Sequence, residues 1–511
     1  MKKRNIIILT TTITAVVALT VVLPIVITRM NSFELYITDV NPADMGLAEW
    51  QEDFDYLFDF VKDNYPYLWV KDRMHELDWL SLRSEFDQMI AEATNNEDFM
   101  CVIMQAVTAL QNRHTHVLNP ARVKSDYINF ADSYPLNLIF SEVTNNAANY
   151  WQSIYTTCLN RLNPGIFDAL IVYDRGNYTI VDGSGSWENL YGYGTLVTHI
   201  DGIPIETAIK SCYTKDYFDY DYEREKTYLW RISPHTFGEN AEFTLYNATG
   251  HQNNVTFNLL PGYSVSPYEY PTPVVSYTKY ENESIGYLYV NSFVTPAIEP
   301  YFPGVLAFYD EIKDYEHLII DIRGNTGGYY SAWIDGIVGP LVSESLIHEF
   351  YLGYKMTRYM KAFHEQYMTV KVPKSDFDYL PPEVYSENFK LFKAWGNYAP
   401  DENNVNFTGE IILLTDNIVY SAAEGFANFC KQTDFATIYG TASGGDGLLL
   451  WPIYCVLPNS KIVINLASTL GLDIDGQANE EIRTQPDVYY ESAFGNFTEL
   501  IDYVIQDLEG S

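Results

Sequence analysis

Basic side chains are scarce in this 511-residue chain. It carries 31 Lys and Arg against 67 Asp and Glu, a formal net charge of -36 at pH 7. Such a field repels phosphate backbones, which argues against nucleic acid as a partner, and it disfavours anionic membrane surfaces. Its plainest role is solubility. Cysteine is scarce too. Cys101, Cys158, Cys212, Cys430 and Cys455 match no zinc-ligand spacing, so neither a metal nor another cofactor is expected. Five thiols leave at least one unpaired within a monomer, and their pairing is not set by the sequence. No internal repeat or low-complexity stretch is present. Tyrosine, by contrast, abounds with 43 residues, beyond anything composition explains except wet, aromatic-rich surfaces.

The N-terminus differs from the rest. Lys2, Lys3 and Arg4 precede an uncharged, largely apolar run from Ile6 to Thr28. That run exceeds the roughly 7–15 residues of a signal-peptide core and is long enough for a bilayer of ~30 Å. No small-x-small cleavage site follows, and no nearby cysteine offers a lipid attachment point. Residues 1–30 are therefore expected to be a signal anchor, with a cleaved signal peptide as the alternative. The basic flank keeps the N-terminus inside, so residues 31–511 are expected outside the cytosol, membrane-anchored or, after cleavage, secreted. Sequons at Asn177, Asn247, Asn254, Asn282, Asn406 and Asn496 are compatible with an extracellular glycoprotein.

Three regions follow. Residues 44–124 read as a helical domain. Phe54, Leu57, Phe58 and Val61 share one helical face, and Pro66 ends that helix. Asp78 is expected to cap a second helix and Asn96 a third, which runs into Asn112-Arg113-His114-Thr115-His116. Residues 125–280 read as β-rich, with short periodicity and Gly, Pro, Asn and Asp punctuation. Tyr193 to Ala208 predicts two strands around Asp201-Gly202, then a helix, and resembles part of a PDZ domain; another kind of β insert fits as well. Residues 281–500 alternate apolar runs with helical stretches. Ile285–Val290, His317–Ile322, Ile411–Leu414 and Lys461–Ala467 read as strands, and near-continuous apolar runs among them imply cover on both faces. The fold class is α/β.

Two segments of this last region carry candidate chemistry. In Leu318 to Gly328 a buried strand ends in a glycine turn, whose backbone N–H groups can approach an oxyanion. A plain strand-to-helix turn reads the same way, and Asp321 and Arg323 are expected to brace it. In Ile411 to Phe429 a strand, a short loop and a helix place Ser421 at a helix N-terminus. There it serves either as an ordinary N-cap or as a nucleophile facing free N–H groups.

Read in order, the motifs resemble a known family. They are Leu110-Gln-Asn-Arg-His-Thr115, Asp321-x-Arg323-x-Asn325-x-Gly327-Gly328, Ser421-Ala422-x-Glu424, Tyr439 to Gly447, and Asp475-Gly476 with Glu480 and Pro486-Asp487. Together they are similar to the tail-specific, or C-terminal-processing, serine peptidases. That resemblance implies a ClpP/crotonase-like α/β core with a helical cap and a PDZ-like or other β insert. It implies Ser421 as nucleophile, an oxyanion hole from the backbone N–H of Ala422 and of Gly327, and a peptide or protein substrate. The bacterial processing enzymes use a downstream lysine as base; Asp446 occupies that position here. The tricorn-like branch instead uses a histidine from the earlier domain, matched by His114, and an acidic residue, matched by Glu480. His116 and Glu481 are neighbouring alternatives. Asn112 and Arg113 depart from that branch, which keeps open a non-catalytic ligand-binding protein on the same scaffold, as in interphotoreceptor retinoid-binding protein repeats. An esterase using the same machinery is the third reading. Oligomeric state is not legible.

Overall fold

The computed structural model describes residues 33–183, 192–261, 270–386 and 388–510. The anchor expected over residues 1–30 lies outside them. Among the described residues no helix is long and apolar enough to cross a membrane, which corrects the membrane-anchored placement. The longest helix, Glu142–Leu162, shows why. It is amphipathic, burying Ala147, Ala148, Trp151, Tyr155 and Cys158 on one side.

The centre of residues 281–500 is a six-stranded sheet. Its strands are β1 (Val275–Tyr280), β2 (Ile285–Val290), β3 (His317–Asp321), β4 (Glu410–Thr415), β5 (Thr437–Gly440) and β6 (Val488–Tyr489), in that spatial order. β1 runs antiparallel to β2, and the others are parallel. Alternate residues of β3 and β4 feed two different cores, as the two-residue strand period requires. Leu318, Ile320 and Leu413 pack with Phe308 and Phe426. Ile319, Ile412 and Leu414 pack with Leu500, Ile501 and Val504 of the C-terminal helix. Cover on both faces explains the apolar runs.

Phe54, Leu57 and Val61 are buried on the helix Leu47–Asn64, which stops just before Pro66. Asp78 accepts the N–H of Leu80 at 3.1 Å. Asn95, not Asn96, caps the helix Asn96–Thr108, accepting from Glu97 and Asp98 at 2.9 and 3.0 Å. Asn96 Oδ1 is taken by the Trp50 indole N–H at 2.9 Å. Residues 125–162, expected to open the β-rich region, are mainly helical, and strands begin only at Gly165. Asparagines along Glu142–Leu162 obscured its helical spacing. A disulfide between Cys101 and Cys158 ties that helix to Asn96–Thr108, while Cys212, Cys430 and Cys455 are buried free thiols.

The insert holds an antiparallel sheet built on Ala169–Asp174, Asn177–Gly183, Leu196–Ile200, Glu242–Tyr246 and Gln252–Thr256. Leu196–Ile200 and Ile203–Pro204 flank Asp201-Gly202, both at positive φ as a tight hairpin turn needs, and a short helix Ile205–Ala208 follows. A short strand, His116–Val117, leaves the helical region and pairs antiparallel with Val463–Leu466. That pairing sets where residues 112–115 lie.

The disulfide closes a loop of 57 residues in the unfolded chain, worth about 4 kcal/mol in the chain-entropy description. The Cys101→Ser/Cys158→Ser variant is expected to lose about 3–4 kcal/mol of unfolding free energy, read from its urea midpoint.

Candidate active site

Ser421 sits between β4 and the helix Ala422–Thr433 at φ 58° and ψ -123°, a backbone conformation that side chains other than glycine hold only under strain. Its hydroxyl makes no capping bond to the helix. Instead Ser421 Oγ lies 3.0 Å from His114 Nε2. On the opposite edge of the ring, His114 Nδ1 lies 2.8 Å from Asp446 Oδ2. A carboxylate can only accept, so Nδ1 carries the hydrogen and Nε2 of the neutral ring faces the serine as an acceptor.

Each partner is held in place. Asn112 Oδ1 accepts the His114 N–H at 3.0 Å, Asn465 donates to the His114 carbonyl at 2.8 Å, and the imidazole stacks on Tyr420 at 4.8 Å. Asp446 occupies a left-handed position (φ 51°) between Gly445 and Gly447 and is buried. Its Oδ1 accepts from the Tyr67 hydroxyl at 2.6 Å; its Oδ2 also accepts from Asn112 Nδ2 at 2.7 Å and Tyr420 at 3.1 Å. Burial pushes this carboxyl up, but the imidazole and these donors outweigh it and hold it below the usual carboxylate range.

Glu480, the acidic residue that the resemblance implied, is held away from the histidine. Its carboxylate forms a buried ion pair with Lys71 and does not bond to His114. The short helix Asn479–Ile482 runs behind the Gly445 loop, and Glu480 Oε2 lies 3.2 Å from where a Cβ on Gly445 would stand. Burial, with Asp446 nearby, pushes the Glu480 carboxyl up. Glu481 bonds Arg73 through both its oxygens. His116 is exposed in its strand and bonds neither Ser421 nor Asp446. Among the described residues no three His, Cys, Asp or Glu side chains form a group fit for a metal ion.

The glycine turn approaches from β3. A Cβ on Gly327 (φ 99°) would stand 2.7 Å from the Tyr420 carbonyl and 2.8 Å from Ser421 Cβ, so the close approach requires glycine. The Gly327 N–H is taken by Asn325 Oδ1 at 2.9 Å. The N–H groups of Gly328 and Ala422 donate to nothing among the described residues. Asp321 and Arg323 brace the turn, with Arg323 bonded to Asp321 at 2.9 and 2.6 Å and Tyr287 donating to Asp321 at 2.8 Å.

Sequence reasoning gave Asp446, Tyr67 and Glu424 no part in this site. Asp446 was singled out only because it stands where the bacterial processing enzymes carry their lysine. Glu424 is buried, accepts from Asn479 at 2.6 Å and Thr484 at 2.8 Å, and leaves Oε2 unpaired. Asn479 in turn accepts the Gly447 N–H at 2.9 Å, so this bracket steadies the loop that carries Asp446.

Residues 284–490 match the sequence model of peptidase family S41, and residues 47–108 match that of the Tricorn protease C1 domain. The chain is similar to peptidase family S41 over the first of these spans. It is a serine-type peptidase. Among solved structures, mature CPAF complexed with lactacystin superposes with a TM-score of 0.52 at 13% identity, covering 91% of this chain and 97% of that one. Mature CPAF alone gives 0.52 at 12% identity, covering 91% and 96%. At these identities the likeness is one of fold. No curated protein matches by sequence. The S41 match contains Ser421, Asp446 and Glu480; His114 lies beyond both matched segments, which is why its placement rests on the geometry.

Burial raises the Glu424 carboxyl to about 7. A carboxyl raised on folding contributes stability that is complete below its unfolded pKa and lost as pH climbs through the folded value. Glu424→Gln is therefore expected to unfold near the wild-type temperature at pH 5 but above it at pH 8, in paired thermal melts.

Proposed function

We propose that this S41 peptidase cleaves peptide bonds through an acyl-enzyme on Ser421, with His114 as general base and Asp446 as the acid that orients and charges it. The observation carrying this reading is the position of one imidazole, in hydrogen-bond reach of both Ser421 Oγ and Asp446. His114 Nε2 takes the hydroxyl proton as Oγ attacks the carbonyl carbon, and the buried anion stabilises the imidazolium. The Ala422 N–H and the helix N-terminus behind it receive the oxyanion, with the glycine turn supplying the second donor. Gly327 serves if it exchanges Asn325 for the oxyanion; the Gly328 N–H has no partner among the described residues. The imidazolium then returns its proton to the leaving amine, and water repeats the sequence in reverse. Glu480 with Lys71 supports the Asp446 loop from behind.

The core is read as ClpP/crotonase-like and the insert as a PDZ-like module, whose exposed edge strand Gln252–Thr256 suits strand addition by a peptide. A ligand-binding protein on this scaffold has no use for a strained serine, a directed imidazole and unpaired donors together.

A fluorophosphonate probe is expected to label the wild type and to lose labelling in Ser421→Ala. Labelling that survives Ser421→Ala overturns the assignment. His114→Ala is expected to abolish peptide turnover. Asp446→Asn, which leaves the ring in the wrong tautomer, is expected to lower kcat by about 10³–10⁴-fold, and Glu480→Gln by far less. A larger loss in Glu480→Gln than in Asp446→Asn reverses the roles of the two acids.

A further inference from the structure

A cleft of about 170 Å³ opens between the β-rich insert and the catalytic region, and neither Ser421 nor His114 is in its wall. Seven tyrosines line it, among them Tyr173, Tyr220, Tyr222 and Tyr489. Five carboxylates line it as well, from Asp174, Asp221, Glu223, Asp416 and Glu491, against two guanidinium groups. One of these, Arg323, is committed to Asp321 and lies 4.0 Å from the centre of the Phe497 ring. The other, Arg175, lies 3.4 Å from Asp174. Asp221 and Glu491 share a single cation, Arg224, at 2.8 and 2.9 Å. Glu223 is exposed and, like Asp416, makes no ion pair among the described residues. Negative charge is thus left over in an aromatic-walled cleft.

Tyrosine faces attract cations, and a partly desolvated site strengthens that attraction. The rings here already show it: Lys226 Nζ lies 5.4 Å from the centre of Tyr173, and Arg483 5.8 Å from that of Tyr222. Tyr489 presents 40% of its surface and donates its hydroxyl to Glu491 at 2.9 Å, so it pairs an open ring with a carboxylate. The cleft is also tied to the nucleophile by covalent chain. Asp416 and Asn417 line it and open the loop that ends at Ser421. Four residues of fully extended chain span at most roughly 14 Å, so Asn417 lies within that distance of the serine. An extended substrate covers it in about four residues.

We infer that this cleft is a subsite for a basic side chain, Lys or Arg, lying within about four residues of the scissile bond of a peptide substrate. The inference rests on the peptidase reading for its substrate, but its test needs no turnover. A fluorescein-labelled peptide with a central Arg and its Gln counterpart are titrated onto the Ser421→Ala protein and read by anisotropy. The Arg peptide is expected to bind about tenfold tighter. Adding Asp174→Asn, Glu223→Gln and Glu491→Gln removes charge while keeping polar shape, and is expected to erase the preference. Adding Asp310→Asn, Glu311→Gln and Asp314→Asn, on an exposed helix end whose residues are not in the cleft wall, removes the same charge and is expected to leave it. Glu223→Gln alone, at an exposed side chain, keeps the fold and is expected to lower the preference about threefold. Equal binding of the two peptides, or equal loss in both triple variants, overturns the subsite and leaves only the acidic field of the whole chain. An Arg preference in a protein whose Ser421 resists fluorophosphonate overturns the catalytic reading instead.

Discussion

One imidazole joins two distant parts of this chain. His114 lies in the helical N-terminal region, while Ser421 and Asp446 lie more than three hundred residues further on, at 3.0 and 2.8 Å from its two nitrogens. Neither bond survives a shift of more than a few tenths of an ångström, so the packing between the two parts is constrained by chemistry as well as by apolar burial. The short pairing of His116–Val117 with Val463–Leu466 and the bond from Asn465 to the His114 carbonyl supply that precision through backbone geometry. Tyr67 and Lys71, beside and on the helix Leu68–His75, reach the same place through Asp446 and Glu480. On the proposed mechanism the helical region supplies both the base and part of the cradle for its acid.

A buried carboxylate is costly unless its oxygens are satisfied. Asp446 is satisfied by neutral donors from Tyr67, Asn112 and Tyr420 and by the imidazole. These stabilise the anion without supplying a fixed positive charge that would compete with the imidazolium that the proposed mechanism requires. Lys71 pairs with Glu480 one step further back, so its charge does not bond the acid that the ring needs. The same division is visible at the glycine turn, where Asp321 and Arg323 neutralise one another and leave backbone N–H groups to face the serine.

Much of this was legible beforehand, for identifiable reasons. Strands β2, β3 and β4 were plain because both faces are covered and their apolar runs are uninterrupted. The helix Leu47–Asn64 was plain because its buried face repeats at helical spacing. Ser421, His114 and the glycine turn stood out through the order of their motifs, not through any one of them. Glu142–Leu162 was hidden because its polar face is rich in asparagine, which favours caps and turns as readily as helices. That Asp446, and not Glu480, bonds His114 was beyond reach of the sequence. Both acids lie in matching motifs, and only the tertiary pull of Lys71 on one and of Tyr67, Asn112 and Tyr420 on the other separates them.

The central claim is that Asp446 holds the Nδ1 proton of His114 and leaves Nε2 open toward Ser421. The most direct measurement is the proton NMR spectrum of protein labelled with ¹⁵N-histidine, near neutral pH. A downfield imidazole N–H resonance is predicted in the wild type and in Glu480→Gln, and is predicted to vanish or move strongly upfield in His114→Ala and Asp446→Asn. A resonance that persists unchanged in Asp446→Asn, or one lost only in Glu480→Gln, would contradict the account.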